Sequence, residues 1–316
     1  MRGMSRPTSA AGPASRSPNP SRNGRGSAFT PQLAVLASTI LWGTLWIPVR
    51  RLHETGSSGA WATTIGFLIP LAVLLPAAVW RGERTREGLR ELGAPGLWLA
   101  LGIALYTEGI VRGQVARVIL LFYLTPVWST LLARIVLGEA ITARRLATIA
   151  LGLAGLLVIF GAGAAVPLPR GSADWMGLAA GVAWAVAMVT TRRRESGPIF
   201  DRLFLHFAFL GPAFFLVTLI PGDGAAASFD LQLRTGSLLW LLAFALIWML
   251  PVVWLTLFGA RYVDPGRFAI LLMFEIVIGL TTVALLTDEP LGRREIVGAL
   301  LILGASGAEI AIKRPR

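Results

Sequence analysis

Glu275 is the residue whose type and setting promise the most chemistry. It sits in the middle of an apolar run that opens at Arg267, about eight residues or roughly 12 Å of helix rise away. An ionised carboxylate at the centre of a bilayer costs on the order of 3 kcal/mol on insertion scales, so a glutamate there is expected to face a wet cavity or a partner. Two chemistries follow: carrying a proton, or neutralising a solute ammonium. The plainer alternative is a glutamate that hydrogen-bonds the backbone of a neighbouring helix.

Aromatic residues recur at similar depth. Trp42 and Trp46 are spaced to share one helix face, Trp184 holds the matching place in the second half, and Trp248 and Tyr123 also fall mid-run. Such rings could wall a site for an apolar or cationic solute, or simply pack helices together. Trp80, Trp98, Trp175 and Trp240 stand at run ends, where interfacial anchors belong. Glu108, Arg112 and Arg117 gather around one run end and the turn into the next. They are candidates for a gate pair or a carboxylate site, because arginine offers carboxylates a bidentate fork; snorkelling ends or a structural ion pair are the commoner use of such residues. Pro126 and Pro251, both near mid-depth, each free a backbone carbonyl and are candidate flexing points. His206 is expected to hydrogen-bond a neighbouring helix. Glu139 and Glu289, followed by Arg144 and Arg294, read as clasps of the helix connections.

The elements that must position these residues are membrane helices. The 316 residues are 55% hydrophobic and 15% charged, with a mean hydropathy of +0.68, a balance that points away from water. The chain contains no cysteine and two histidines, which excludes thiolate or histidine-cluster metal sites, and no metal or cofactor is expected. A net charge of +12 could suggest nucleic acid, but the arginines stand at the ends of apolar runs, as membrane topology requires. No nucleic-acid partner is expected. Residues 1–28, rich in Ser, Pro, Arg and Gly and without an acidic residue, read as a disordered basic tail. Ten apolar runs of about bilayer-crossing length follow: 31–50, 58–80, 94–112, 117–137, 143–162, 173–191, 200–220, 237–259, 267–287 and 294–312.

Sliding the chain by about 150 residues, a repeat of domain size, sets Arg117 on Arg267, Glu139 on Glu289 and Arg144 on Arg294 without a gap. The two halves, 31–162 and 173–312, therefore hold five helices each. An odd number makes the second half enter the bilayer in the opposite sense. The expected fold is an all-α integral membrane protein with ten transmembrane helices in two inverted five-helix repeats, the arrangement by which many carriers obtain two interchangeable states. Arginines such as Arg81, Arg84, Arg192 and Arg193 collect on the side of the tail, so both termini are expected in the cytoplasm.

Several short stretches, in this order and spacing, carry a resemblance. They are LWG at Leu41 to Gly43, LTPVW at Leu124 to Trp128, LGE at Leu137 to Glu139, WA at Trp184 and Ala185, FE at Phe274 and Glu275, and DEPL at Asp288 to Leu291. From about residue 33 to 312 the chain resembles the drug/metabolite transporter superfamily, specifically proteins with two tandem EamA domains. One departure is Ile276, where many members have a proline matching Pro126; this weakens the expectation of a helix irregularity there. The resemblance implies a ten-helix carrier in the inner or plasma membrane, with a central cavity open alternately to each side. It implies small organic solutes such as amino acids, amines or drugs, mostly exported, with protons as a candidate coupling ion. The absence of HExxH, GxSxG and P-loop patterns gives an enzyme no support. The alternative reading is a non-transporting membrane scaffold or receptor. Solute, direction and oligomeric state are not legible.

Overall fold

A computed structural model describes residues 30–54, 60–160, 168–193, 197–220, 235–287 and 292–311. The basic tail and Glu289 lie outside them. Among the described residues the chain is helical with no strand: α1 (Thr30–Gly43), α2 (Trp46–Glu54), α3 (Ala60–Arg81), α4 (Glu83–Arg112), α5 (Val115–Phe122), α6 (Thr125–Leu137), α7 (Ala143–Phe160), α8 (Ser172–Arg193), α9 (Ile199–Thr218), α10 (Thr235–Ala243), α11 (Leu250–Tyr262), α12 (Pro265–Leu272), α13 (Phe274–Leu286) and α14 (Arg293–Ala311). Helix is the form that such apolar runs take in lipid, because it satisfies every backbone group within the segment. Eight helical stretches are long and apolar enough to cross a membrane, and Ile65–Arg81 of α3 is a shorter apolar one. The repeats α1–α7 and α8–α14 share a broken fourth crossing, α5/α6 and α12/α13, but differ at their first and third.

Four of the crossings are interrupted. The first breaks at Thr44 and Leu45 between α1 and α2, the fourth at Tyr123 and Leu124 between α5 and α6, and the ninth at Met273 between α12 and α13. The eighth passes through a π-helical stretch, Phe244–Met249, between α10 and α11. Pro251 and Pro126 are each the second residue of the helix that resumes, α11 after the π stretch and α6 after the α5/α6 break. The break at Met273 corrects the expectation drawn from Ile276, since the helix is irregular there without a proline. The chain tightens instead into i→i−3 bonds, Met273 N–H to the Ile270 carbonyl at 3.2 Å and Ile276 N–H to the Met273 carbonyl at 3.1 Å. The α5/α6 break repeats this with Leu124 to Leu121 at 3.3 Å and Val127 to Leu124 at 2.9 Å. At Pro70, Pro76 and Pro212 the helices run through.

Helix pairings exchange between the halves as a two-fold relation demands. The opening helix of each half packs into the other half: α1 lies against α11, α12 and α13, and α8 lies against α4, α5 and α6. The closing helices α7 and α14 pair with each other. Close approaches are duplicated too. A side chain at Gly109 would meet the Ala173 carbonyl and Val118, each at 3.1 Å, and one at Gly259 would meet Val35 at 2.5 Å and Phe268 at 3.3 Å. The repeat shift carries Gly109 onto Gly259 and Val118 onto Phe268.

Candidate functional site

The interruptions bring the expected polar and aromatic groups together. Glu275 is the second residue of α13, in the first turn after the Met273 break, where the free N–H groups and dipole of a restarted helix favour negative charge. Its Oε1 accepts a hydrogen bond from the hydroxyl of Tyr123, which occupies the α5/α6 break. Tyr123 is 3% exposed. So the two equivalent breaks, one from each repeat, face each other across the repeat interface. Tyr106 of α4 adds a second phenol, its ring centroid 4.5 Å from that of Phe122.

Three of the expected tryptophans are fixed by hydroxyls of the other half. Trp42 Nε1 donates to Thr256 Oγ1 at 3.2 Å, Trp46 Nε1 to Thr282 Oγ1 at 3.0 Å, and Trp248 Nε1 to Thr44 Oγ1 at 3.3 Å. Trp42 and Trp46 do not share one face as their spacing suggests. The break at Thr44 and Leu45 lies between them and sends their indoles to α11 and α13 respectively. Trp42 and Phe122 both meet Trp184 edge to face, at 5.9 Å and 5.8 Å. Trp184 is 4% exposed, and its Nε1 is buried without a hydrogen-bond partner. His206 is fully buried, and among the described residues neither ring nitrogen finds a hydrogen-bond partner, so the bond expected of it to a neighbouring helix is not made.

Gly43, the end of the LWG stretch, owes its identity to this centre. A Cβ there would meet the Glu275 carbonyl oxygen at 2.5 Å and the Ile278 Cβ at 2.7 Å, so only glycine lets α1 lie against α13. Gly43→Val is expected to destabilise the solubilised protein by about 1–3 kcal/mol, the usual cost of overpacking, read as a lowered thermal midpoint. Gly236→Ala, at a position with open space around it, is the control expected to leave the midpoint in place.

The cluster expected from Glu108, Arg112 and Arg117 divides in two. Glu108 accepts from Arg112 Nε at 2.9 Å, and Arg112 also donates to the Ile220 carbonyl at 2.7 Å. Arg117 turns instead to Asp174 in the first turn of α8, with Nη2 at 2.6 Å and Nε at 3.1 Å from Oδ2. Asp174 also accepts from the Arg170 N–H at 2.9 Å, and Arg117 Nη2 donates to the Leu168 carbonyl at 2.8 Å. Arg112, Arg117, Arg170 and Asp174, but not Glu108, line a cavity of about 310 Å³ together with Gln114 and Ser172.

At the other end of the molecule Arg145, and not its neighbour Arg144, carries the connection. It donates to Asp264 Oδ1 at 2.7 Å and lies 3.3 Å from Glu309 Oε1, which also accepts from Thr148 at 2.9 Å. Asp264 caps α12 by accepting the Arg267 N–H at 2.9 Å. Burial acts to raise the Asp264 carboxyl, but the hydrogen bond with Glu139, the charge of Arg145 and the Arg267 N–H together hold it below the ordinary aspartate value. Glu139 thus joins the clasp expected of it, through a residue that sequence spacing did not point to. Among the described residues no group of three or more His, Cys, Asp or Glu side chains is arranged to hold a metal.

A model of the EamA-like transporter family matches residues 30–161 and 171–307. An uncharacterized transporter of Archaeoglobus fulgidus is 26% identical over 281 residues, covering 86% of this chain and 93% of that protein. A solved crystal structure, 18% identical, superposes with a TM-score of 0.68 over 89% of this chain and 98% of its own, a likeness of fold.

Proposed function

The chain belongs to the EamA-like transporter family, and we propose that it is a secondary carrier exporting small organic metabolites, amines or amino acids among them, by alternating access. The observation that carries this reading is the meeting of Glu275 and Tyr123, one from the interrupted helix of each repeat, at an interface across which Trp42, Trp46 and Trp248 each bond a hydroxyl of the other half. A carboxylate at that place can accept a proton or an ammonium, and indole rings can accept a cation or an apolar chain. In this reading Glu275, Tyr123, Trp42, Trp46, Trp184 and Trp248 bind the solute. Glu108, Arg112 and Arg117 gate the cavity at their end. Pro126 and Pro251 mark where the helices flex, and residues 31–162 and 173–312 move as the two halves. The Arg117 end lies outside and both termini lie in the cytoplasm, in keeping with the arginine distribution.

Counterflow in proteoliposomes, after a binding screen of amino acids, polyamines and cationic dyes, tests the proposal. A carrier accumulates labelled solute transiently against preloaded unlabelled solute; a scaffold or receptor gives none, and that result would remove the reading. Uptake into inverted vesicles with and without a pH gradient then decides direction and proton coupling.

A further inference from the structure

The repeat sets Arg117 on Arg267, and it sets Asp174 on Gln32, since the two stand equally far ahead of Trp184 and Trp42. Both pairs are made. Asp174 holds Arg117 through the two contacts to Oδ2 given above, and Gln32, its amide oxygen turned to Arg267, accepts from Nη2 at 3.1 Å and Nη1 at 3.2 Å. Each arginine also donates to one main-chain carbonyl, Arg117 to Leu168 and Arg267 to Ile310 at 3.1 Å. Each pair joins the first turn of an opening helix, α8 or α1, to the first turn of an interrupted helix, α5 or α12. Next to each stands a glycine with no room for a Cβ, Gly109 against Ala173 and Val118 and Gly259 against Val35 and Phe268. What differs is the partner's charge.

We propose that Asp174 and Gln32 are the opposed latch residues of the two mouths, and that the ionic latch holds the Arg117 mouth shut more firmly than the neutral latch holds the Arg267 mouth. A charge-assisted bidentate bond is roughly twice as strong as its neutral counterpart. The Arg117 and Asp174 side chains are 16% and 8% exposed, so water and salt screen the pair little. Arg145, Asp264, Glu309 and Glu139 tie α12 to α7, α14 and the end of α6, whereas the contact of Arg267 with the opening helix α1 is made to the Gln32 amide. A two-state carrier built this way rests with its Arg267 mouth the easier to open, so that a solute meets the site first from that side. The proposal rests on the carrier reading, but its test needs no solute and can fail independently.

The chain contains no cysteine, so spin-label pairs enter a clean background. Gln114→Cys with Gly171→Cys spans the Arg117 mouth, and Leu33→Cys with Ile141→Cys spans the other. In liposomes without solute, pulsed electron-electron resonance is expected to give one short distance at the Arg117 mouth and an added longer population at the Arg267 mouth. Asp174→Asn is expected to raise the open population at its own mouth on the order of tenfold. Gln32→Glu is expected to remove the longer population at the Arg267 mouth. Asp174→Glu keeps the charge and is expected to restore the short distance. The proposal is overturned if Asp174→Asn leaves its mouth unchanged, if Asp174→Glu opens it as far as the amide does, or if Gln32→Glu leaves the Arg267 mouth open.

Discussion

Glu275→Gln is expected to lower solute flux by roughly thirtyfold or more, the equivalent of about 2 kcal/mol, which is the lower range for removing one member of a buried charged hydrogen bond. Glutamine keeps the volume and can still accept from Tyr123, so the helices pack as before and the loss isolates the charge. If protons are coupled at this carboxyl, the variant's residual flux also becomes indifferent to a pH gradient. Tyr123→Phe separates the two members. It removes the hydroxyl donor but keeps the carboxylate, and is expected to cost about 1.5–3 kcal/mol of solute affinity or less, the range for a hydrogen bond to a charged group, with gradient dependence retained. Flux in reconstituted vesicles reads both. A Glu275→Gln protein with unaltered rate and pH response would withdraw the role assigned to that residue.

Arg145→Met is expected to be the most damaging single change to stability, about 3–5 kcal/mol, because it removes a guanidinium that pairs both Asp264 and Glu309 and strands buried carboxylates. Glu309 is fully buried, so no water takes the place of the lost cation. Arg145→Met with Glu309→Gln is expected to recover part of the loss, since one stranded charge is then gone. The pH response has a definite sign. Asp264 is held below its ordinary value, so the stabilisation it gives is complete above the ordinary aspartate range and is lost as pH falls through the lowered folded-state value. Thermal unfolding in detergent at decreasing pH is expected to show that acid-sensitive component in the wild type and a reduced one in Arg145→Met.

The parts of this architecture that sequence can express are those written locally. Apolar runs bounded by arginine locate the crossings, and residues such as Arg117 and Arg267 recur in register. The α5/α6 break announces itself through Pro126. Its counterpart at Met273 does not, because FEIVIG holds no proline and its β-branched residues and glycine lower helix preference without setting a break. That break is imposed by tertiary packing, with Met273 Sδ reaching the space beside Gly152 and α1 pressed against Glu275 through Gly43. The same limit applies to the site. Glu275 stands out from one run alone, but its union with Tyr123 spans 152 positions, and the partners of Arg117, Arg145 and Arg267 lie on helices that no spacing rule connects. Tyr106, Asp174 and Gln32 carried no signal beyond their type. For Asp174 and Gln32, aligning the repeats by Trp42 and Trp184 would have set the two in register.

The exchange of opening helices between halves also has a consequence in time. When α8 leaves the ribosome, its neighbours α4, α5 and α6 already exist, whereas α1 must wait for α11 and α13, the indole bonds of Trp42 in α1 and Trp46 at the start of α2 reaching 214 and 236 residues ahead. At about 5–20 residues per second of synthesis, that wait is on the order of ten seconds or more. Throughout it the polar faces of Thr44, Trp42 and Trp46 stand in lipid without their final companions. Among the helices described, α1 therefore waits longest for its partners, and it is the one a membrane chaperone would have reason to hold.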